Sequence, residues 1–487
     1  MNKPVFTVQP NSCIFCVGIK GVGMSALTEL LLNAGVRVSG SDTGAVFYTD
    51  AILKELGVPY FETFDVAHIH DGIDSVVYSA AYSPETHPEL VEASRRGIPL
   101  FKYADALGAY SANFDSSGIA GVHGKTTTTV MTGALLKGAR LPAQILAGSA
   151  TSVFNGHSTL SLGNGYFVAE TCEYRRHFLS FHPKRIALTS VESDHQDYYP
   201  TYESIRDAFV EYGRKLPVGG ELIYCADDKG ACEVAETLRK EQRGLMFTPY
   251  GFTAHGDFKI QNFSVENERL VFELNAFAEP FTLRVPGRHN ALNATAALAL
   301  VSSIARTENR AAGGAGVMTT AQLEGMRRGL EDFHGSKRRS EIIGEKDGVL
   351  FMDDYAHHPT AIKTTIEGLK VFYPNRRIIV SFMPHTYTRT AALMDEFATA
   401  FTGADALLLH KVYASARETY SGGVTGKTLF EKIEKAKCSA NAGKILYVEE
   451  PLDALPLVKS MLKMGDLFLT MGAGDNWKLG EALLKEV

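Results

Sequence analysis

The residues best equipped for chemistry are Gly121-Val122-His123-Gly124-Lys125-Thr126-Thr127-Thr128-Thr129. Glycines let backbone N–H groups close around phosphate oxygens, and a helix N-terminus adds partial positive charge. Lys125 adds a full charge, and Thr126 is of the type that reaches a magnesium ion. The strict phosphate-loop pattern wants a glycine at position 119, where Ile stands, so a shortened Gly-x-x-Gly-Lys-Thr remains. The competing reading is a plain Gly-bounded turn. Thr is a mediocre helix former, however, and four in succession need a reason beyond propensity.

Acids and imidazoles follow. Phe167-Val168-Ala169-Glu170 reads as a strand ending in a carboxylate, and Ile186 to Ser190 as another that runs into Val191-Glu192-Ser193-Asp194-His195. Ligands of parallel sheets gather at the carboxyl ends of strands, which is where Glu170 and His195 fall. Glu suits a hard cation, whereas His is unusual for magnesium; a surface ion pair and a capping Asp-His are the bland alternative. A third group, Phe351-Met352-Asp353-Asp354-Tyr355-Ala356-His357-His358-Pro359-Thr360, puts two acids and two imidazoles at a strand end, with Pro359 opening a helix. Adjacent histidines point apart, so no zinc site is expected. In Met383-Pro384-His385-Thr386-Tyr387-Thr388-Arg389-Thr390, Arg389 is a fork donor for carboxylate or phosphate, against the alternative of a polar loop with a satisfied His.

These groups need strands and helices to place them. Ile14–Ile19, Val36–Ser39 and Ser75–Ser79 read as strands around a helix from Met24 to Ala34, a βαβ pattern. The loop Gly18-Ile19-Lys20-Gly21-Val22-Gly23, with Asp42 ending the second strand, is a reordered dinucleotide fingerprint that predicts a phosphate near Met24. A polar, structureless Ser111–Ser117 marks a first boundary, and the Phe333–Lys337 junction a second. Phe258–Leu274 alternates like antiparallel strands, and Val349–Met352, Arg377–Phe382 and Ala406–Leu409 read as strands of a further α/β domain.

At 487 residues two to four domains are expected. A net charge of −6 with 21% charged residues and no basic block argues against nucleic acid. No apolar run has the length of a membrane span, and a cytoplasmic location is expected. Six cysteines are too few for a disulfide scaffold, and Cys13 and Cys16 read as core residues of a strand.

In this order the motifs resemble those of the Mur ligase family over nearly the whole chain. The carriers are Gly18 to Ser25, Gly121 to Thr128, Glu170 to Phe178, Asp194-His195, Pro286-Gly287-Arg288-His289-Asn290-Ala291-Leu292-Asn293-Ala294, Asp353 to Thr360, Pro384 to Thr390, and Thr470-Met471-Gly472-Ala473-Gly474-Asp475. The resemblance implies an α/β protein of three domains. These are an N-terminal Rossmann-like domain for a UDP-sugar (1–112), a central parallel-sheet ATPase-like domain with the phosphate loop (113–336), and a C-terminal Rossmann-like domain for an amino acid (337–487). It also implies a monomer or homodimer that joins L-alanine to UDP-N-acetylmuramate with ATP and magnesium, or manganese in its place. Gly121, His123, Gly124, Lys125, Thr126, Thr127, His289, Asn290, Asn293, Arg339 and Asp354 would then serve ATP, and Thr126, Glu170 and His195 the metal. Gly18, Gly21, Gly23, Met24, Ser25, Asp42 and Ser79 would hold the UDP-sugar. Tyr355, His385 and Arg389 would face the amino acid, with Lys125, His357 and Arg389 catalytic.

Several positions depart from the family pattern. Lys20 replaces a frequent glycine, either adding charge to the diphosphate or pointing to solvent. Thr63-Phe64 stands for Gly-His, Thr386 for Arg and Ser190 for Asn. Sister ligases carry a carbamylated lysine after the metal histidine; no lysine lies between His195 and Lys215, so none is expected. The competing activities are a ligase that recycles a whole tripeptide onto the same nucleotide sugar and, from another class, a nucleotide-binding oxidoreductase or switch. An oxidoreductase would leave the phosphate cradle idle, and a switch would not need Asp353 to His358.

Overall fold

The computed structural model describes residues 5–241, 244–335, 337–414, 422–437 and 443–486. Contacts divide them into two compact units, one of residues 1–191, 206–248 and 296–326, the other of 192–205, 249–295 and 327–487. Ser336, where the second domain boundary is expected, lies outside the described residues.

The first unit opens with a parallel sheet in the order Tyr60–Phe61, Arg37–Ser41, Cys13–Val17, Ser75–Tyr78, Leu100–Lys102. Its central strand, Cys13–Val17, is wholly apolar because helices cover both faces of such sheets. Register sets Val17 beside Ser41 and Tyr78, so Gly18, Asp42 and Ser79 emerge along one rim. The helix after the first strand runs Val22–Asn33, two residues earlier than its apolar pattern suggests, with Gly21 as an N-cap that makes no side-chain cap. Cys16 is buried in its strand, in keeping with a packing role.

Six further strands of the unit lie in the order Glu221–Cys225, Arg185–Leu188, Asp115–Ala120, Tyr166–Glu170, Ala143–Thr151, His157–Ser161, all parallel except the last. Ser111–Ser117 is not the structureless linker expected. A helix runs through Ser111, a strand begins at Asp115, and the Ser111, Ser116 and Ser117 side chains are buried. Two of these hydroxyls are satisfied internally, since Ser111 Oγ donates to Gly108 O at 2.6 Å and Ser116 Oγ to Ser111 O at 2.5 Å.

The second unit is built on a sheet ordered Glu341–Lys346, Val349–Asp354, Asp466–Met471, Arg377–Phe382, Ala406–Leu409, Lys444–Tyr447, antiparallel only in its first pair. Phe351, Ile379, Leu408 and Phe468 form a core with Leu479 and Leu483 of the helix Trp477–Glu486. The alternation in Phe258–Leu274 is an antiparallel pair, Phe258–Glu266 with Arg269–Leu274. No described helix is long and apolar enough to cross a membrane.

Candidate active site

In the first unit the strand Asp115–Ala120 leads through Gly121 to Gly124, which caps the helix Lys125–Gly138 with φ 81° and no side-chain hydrogen bond. The first-turn N–H groups are therefore left to whatever anion approaches. Gly121 has φ 142°, and a Cβ there would lie 2.1 Å from Thr189 Oγ1, so no other residue fits. The loop is pinned from the neighbouring strand end: Val122 N donates to Ser190 O at 3.0 Å and His123 N to Ser190 Oγ at 2.9 Å. Ser190, a departure from the family pattern, thus has a defined task.

The threonine run divides in two. Thr128 and Thr129 are fully buried in the helix, and Thr129 Oγ1 donates to Lys125 O at 2.9 Å. Such back-bonding lets a hydroxyl sit inside a packed helix. Thr126 and Thr127 make no hydroxyl hydrogen bond among the described residues and remain for a ligand at the helix mouth. Lys125 Nζ donates to the carbonyls of Gly121 and Val122 and pairs with Glu173 Oε2 at 2.9 Å. Burial alone would lower its pKa, but Glu173, Cys172 and Glu170 outweigh it and the pKa is raised, so the ammonium stays charged. Register places Glu170 beside Ile119, and Glu170 Oε2 accepts from Gly148 N at 2.7 Å.

The rim at Gly18 is equally tight. Gly18 has φ 84°, and a Cβ would meet the Tyr82 ring at 2.9 Å and Ser79 Cβ at 3.0 Å. Asp42 spends its carboxylate on the Lys20 and Thr43 N–H groups at 2.7 and 2.8 Å. Both expectations for Lys20 are corrected. It neither faces solvent nor projects as a free charge, for its side chain is buried and ion-paired with Asp50 at 2.9 Å and Glu62 at 2.8 Å. Met24 and Ser25 are buried in the helix, and Phe64 packs edge-on to Tyr82 and His87.

In the second unit Asp194, Arg389, His357 and His385 come together. Arg389 Nη2 and Nε donate to Asp194 Oδ1 at 2.7 and 3.2 Å across 195 positions of sequence, and Nη1 donates to His385 O at 2.8 Å. The fork expected to grip a substrate carboxylate is thus largely engaged by a protein carboxylate. Burial opposes the Asp194 charge, yet Arg389, His195 and His357 hold its pKa well below the usual range. His357 Nδ1 donates to Tyr355 O at 2.8 Å, which leaves Nε2 as the free acceptor. Burial, reinforced by Arg389, keeps that imidazole neutral. His358 instead accepts from Thr360 N at the start of the helix Pro359–Phe372.

Asp354 is also committed internally, accepting from Ser340 N at 2.7 Å and Ala356 N at 2.8 Å; burial raises its pKa. Asp353 pairs with Arg338 at 2.8 Å. Arg339 lies over the Tyr355 ring at 4.9 Å. At the start of the helix Arg288–Ala311, Asn290 Nδ2 donates to Pro286 O at 2.7 Å and Asn293 Nδ2 to Asn290 Oδ1 at 3.3 Å. His289 stacks so close to Gly287 that a Cβ there would fall 2.4 Å from its ring.

Three family models match the chain in succession: the Mur ligase catalytic domain at residues 14–115, the Mur ligase middle domain at 119–301, and the Mur ligase glutamate ligase domain at 338–474. A UDP-N-acetylmuramate–L-alanine ligase of Treponema pallidum is 51% identical over 470 residues, covering 96% of this chain and 95% of the relative. The chain belongs to the Mur ligase family. Among solved Mur ligases, the UDP-N-acetylmuramate-alanine ligase of Thermotoga maritima aligns with a TM-score of 0.72 at 25% identity over 97% of this chain and 98% of that one. A murein peptide ligase of Psychrobacter arcticus has the same identity and a TM-score of 0.63, covering 98% of each chain.

Against this Mur ligase frame, sequence reasoning missed the partners rather than the motifs. Glu173 lies within Glu170 to Phe178 but shows no sign in sequence of pairing with Lys125, and Asp194 none of pairing with Arg389. Arg338, not Arg339, is the junction residue that pairs with Asp353. An acid beside a lysine or arginine motif is the only available cue, and it does not say which acid.

Proposed function

We propose that this Mur ligase joins L-alanine to UDP-N-acetylmuramate at the expense of ATP, acting in the cytoplasm in peptidoglycan precursor synthesis. The observation that carries the chemistry is the uncapped helix start at Gly124 with Lys125 charged beside it, which is built to hold polyphosphate. The amino acid and acceptor follow from the 51% identical relative. The muramate carboxylate oxygen attacks the γ-phosphorus and ADP leaves. The alanine amine then attacks the acyl carbon, and phosphate departs with its bonding electrons. Joining anions requires screening and fixed geometry, which Lys125 and the loop amides supply. His357, neutral with a free Nε2, is suited to accept a proton from the alanine ammonium.

Thr126 and Glu170 are hard oxygen donors of the kind magnesium takes, and Thr126 has no protein hydrogen-bond partner among the described residues, so they fit the ion. When bound, the ion neutralises charge on the β and γ phosphates. The rim of Gly18, Gly21, Gly23 and Ser79 would hold the UDP-sugar, with Asp42 shaping the loop. Three functional domains divide at about residues 112 and 336. The test is phosphate release from ATP with UDP-N-acetylmuramate and L-alanine, omitting each in turn and replacing alanine by the tripeptide. Turnover that ignores the sugar nucleotide, or prefers the tripeptide, overturns the reading.

A further inference from the structure

An ammonium has three N–H donors, and those of Lys125 are all engaged: Gly121 O, Val122 O and the Glu173 carboxylate, which approaches at 2.9 Å through Oε2 and 3.2 Å through Oε1. Glu173 is 1% exposed, so this pair sits in a low-dielectric place where a charge contact is strong and an unpaired charge costly. The turn that delivers it is constrained, for Arg175 and Arg176 both have positive φ and Arg176 N donates to Glu173 O at 2.8 Å. A phosphate can bond Lys125 Nζ only by displacing one of the three partners. The loop carbonyls are neutral, whereas Glu173 is an anion that also repels the incoming triphosphate.

We infer that Glu173 is a positioning residue that stands in for phosphate. Before nucleotide arrives it holds Lys125 charged and folded onto the loop, and it gives up the ammonium when the triphosphate binds, so that its charge weakens ATP affinity. This rests on the reading of Gly121–Thr129 as an ATP site. Because phosphate and carboxylate compete for one cation, their coupling is negative and reciprocal.

The experiment is nucleotide titration by calorimetry, with kcat and KM for ATP, on wild type, Glu173→Gln, Glu173→Asp, Lys125→Gln and the double variant Lys125→Gln/Glu173→Gln. Glu173→Gln is expected to tighten ATP binding by about fivefold or more, in the range of ordinary site coupling, and to lower KM for ATP rather than raise kcat. Glu173→Asp keeps the anion and stays within about twofold of wild type. Adding Glu173→Gln to Lys125→Gln tightens binding less than in wild type, because the shared cation is gone. Weaker binding by Glu173→Gln, or equal tightening by Asp and Gln, overturns the inference. Should Glu173→Gln not fold, a wild-type crystal with a non-hydrolysable ATP analogue decides. Nζ on phosphate and beyond 4 Å from Glu173 supports the exchange, and an intact pair refutes it. Wild type that binds no ATP would sink the ATP-site reading itself, a separate outcome.

Discussion

The phosphate loop and the Asp194–Arg389 cluster solve the same problem, fixing charge at a strand end, by opposite means. At the loop, positive potential comes from backbone N–H groups at a helix start, and Lys125, besides its pair with Glu173, donates to a carbonyl four residues away. At the cluster, a guanidinium is aimed by a carboxylate 195 positions away, and the helix Tyr387–Ala392 that carries it is less than two turns long. Backbone devices hold as long as the local chain folds. Side-chain pairs hold only while both partners stay buried together, so they carry larger and more conditional energies.

The difference is sharpest when a partner is removed. Asp194→Ala leaves a nearly buried Arg389 charge unpaired and is expected to cost about 3–5 kcal/mol of stability, read as a fall in Tm. The double change Asp194→Leu/Arg389→Met should recover most of it. A loss below about 1 kcal/mol for Asp194→Ala would mean that the pair behaves as a surface contact and that the contrast is false. Lys125→Ala should act on turnover as well as stability, lowering turnover by about 10²–10³, or roughly 3–4 kcal/mol of barrier, while the buried Glu173 left without its ammonium lowers Tm. Near-normal phosphate release would remove Lys125 from the mechanism.

Acid should also separate the regions. His410 in the second unit is buried between Ser381 Oγ at 2.9 Å and Val448 O at 2.8 Å, and burial lowers its pKa to about 4. The unfolded chain takes up that proton near pH 6.5 and the folded one does not until about 4. Stability therefore falls as pH drops through that window, by up to about 3 kcal/mol. Melting curves from pH 7 to 4 on wild type and His410→Leu should show a flatter slope in the variant; parallel slopes would mean that another group titrates. The smallest effect belongs to the loop. Ser190→Ala removes the acceptor for His123 N and should cost about 0.5–1.5 kcal/mol with a modest rise in KM for ATP.

Legibility follows the same division. The loop, the helix start at Pro359, the antiparallel pair after Phe258 and the strand ends at Glu170 and Asp354 were readable because each depends on neighbours in sequence. The serines at 111 and 116 misled, since polarity suggests solvent and their hydroxyls are satisfied inside. Lys20 misled for a related reason: its two acidic partners lie 30 and 42 positions on, and nothing local reveals that a lysine will be enclosed.

The chain by itself determined which strand ends would carry glycines, acids and imidazoles, since hydrophobic periodicity, glycines demanding positive φ and a lysine at a helix start are properties of contiguous residues. Only the tertiary structure decided which acid meets which base: Glu173 with Lys125, Asp194 with Arg389, Asp353 with Arg338, and Asp50 and Glu62 with Lys20. Coulombic attraction is non-local and has no sequence period, so a pairing is settled by which groups the packed sheets leave within a few ångströms of one another away from water.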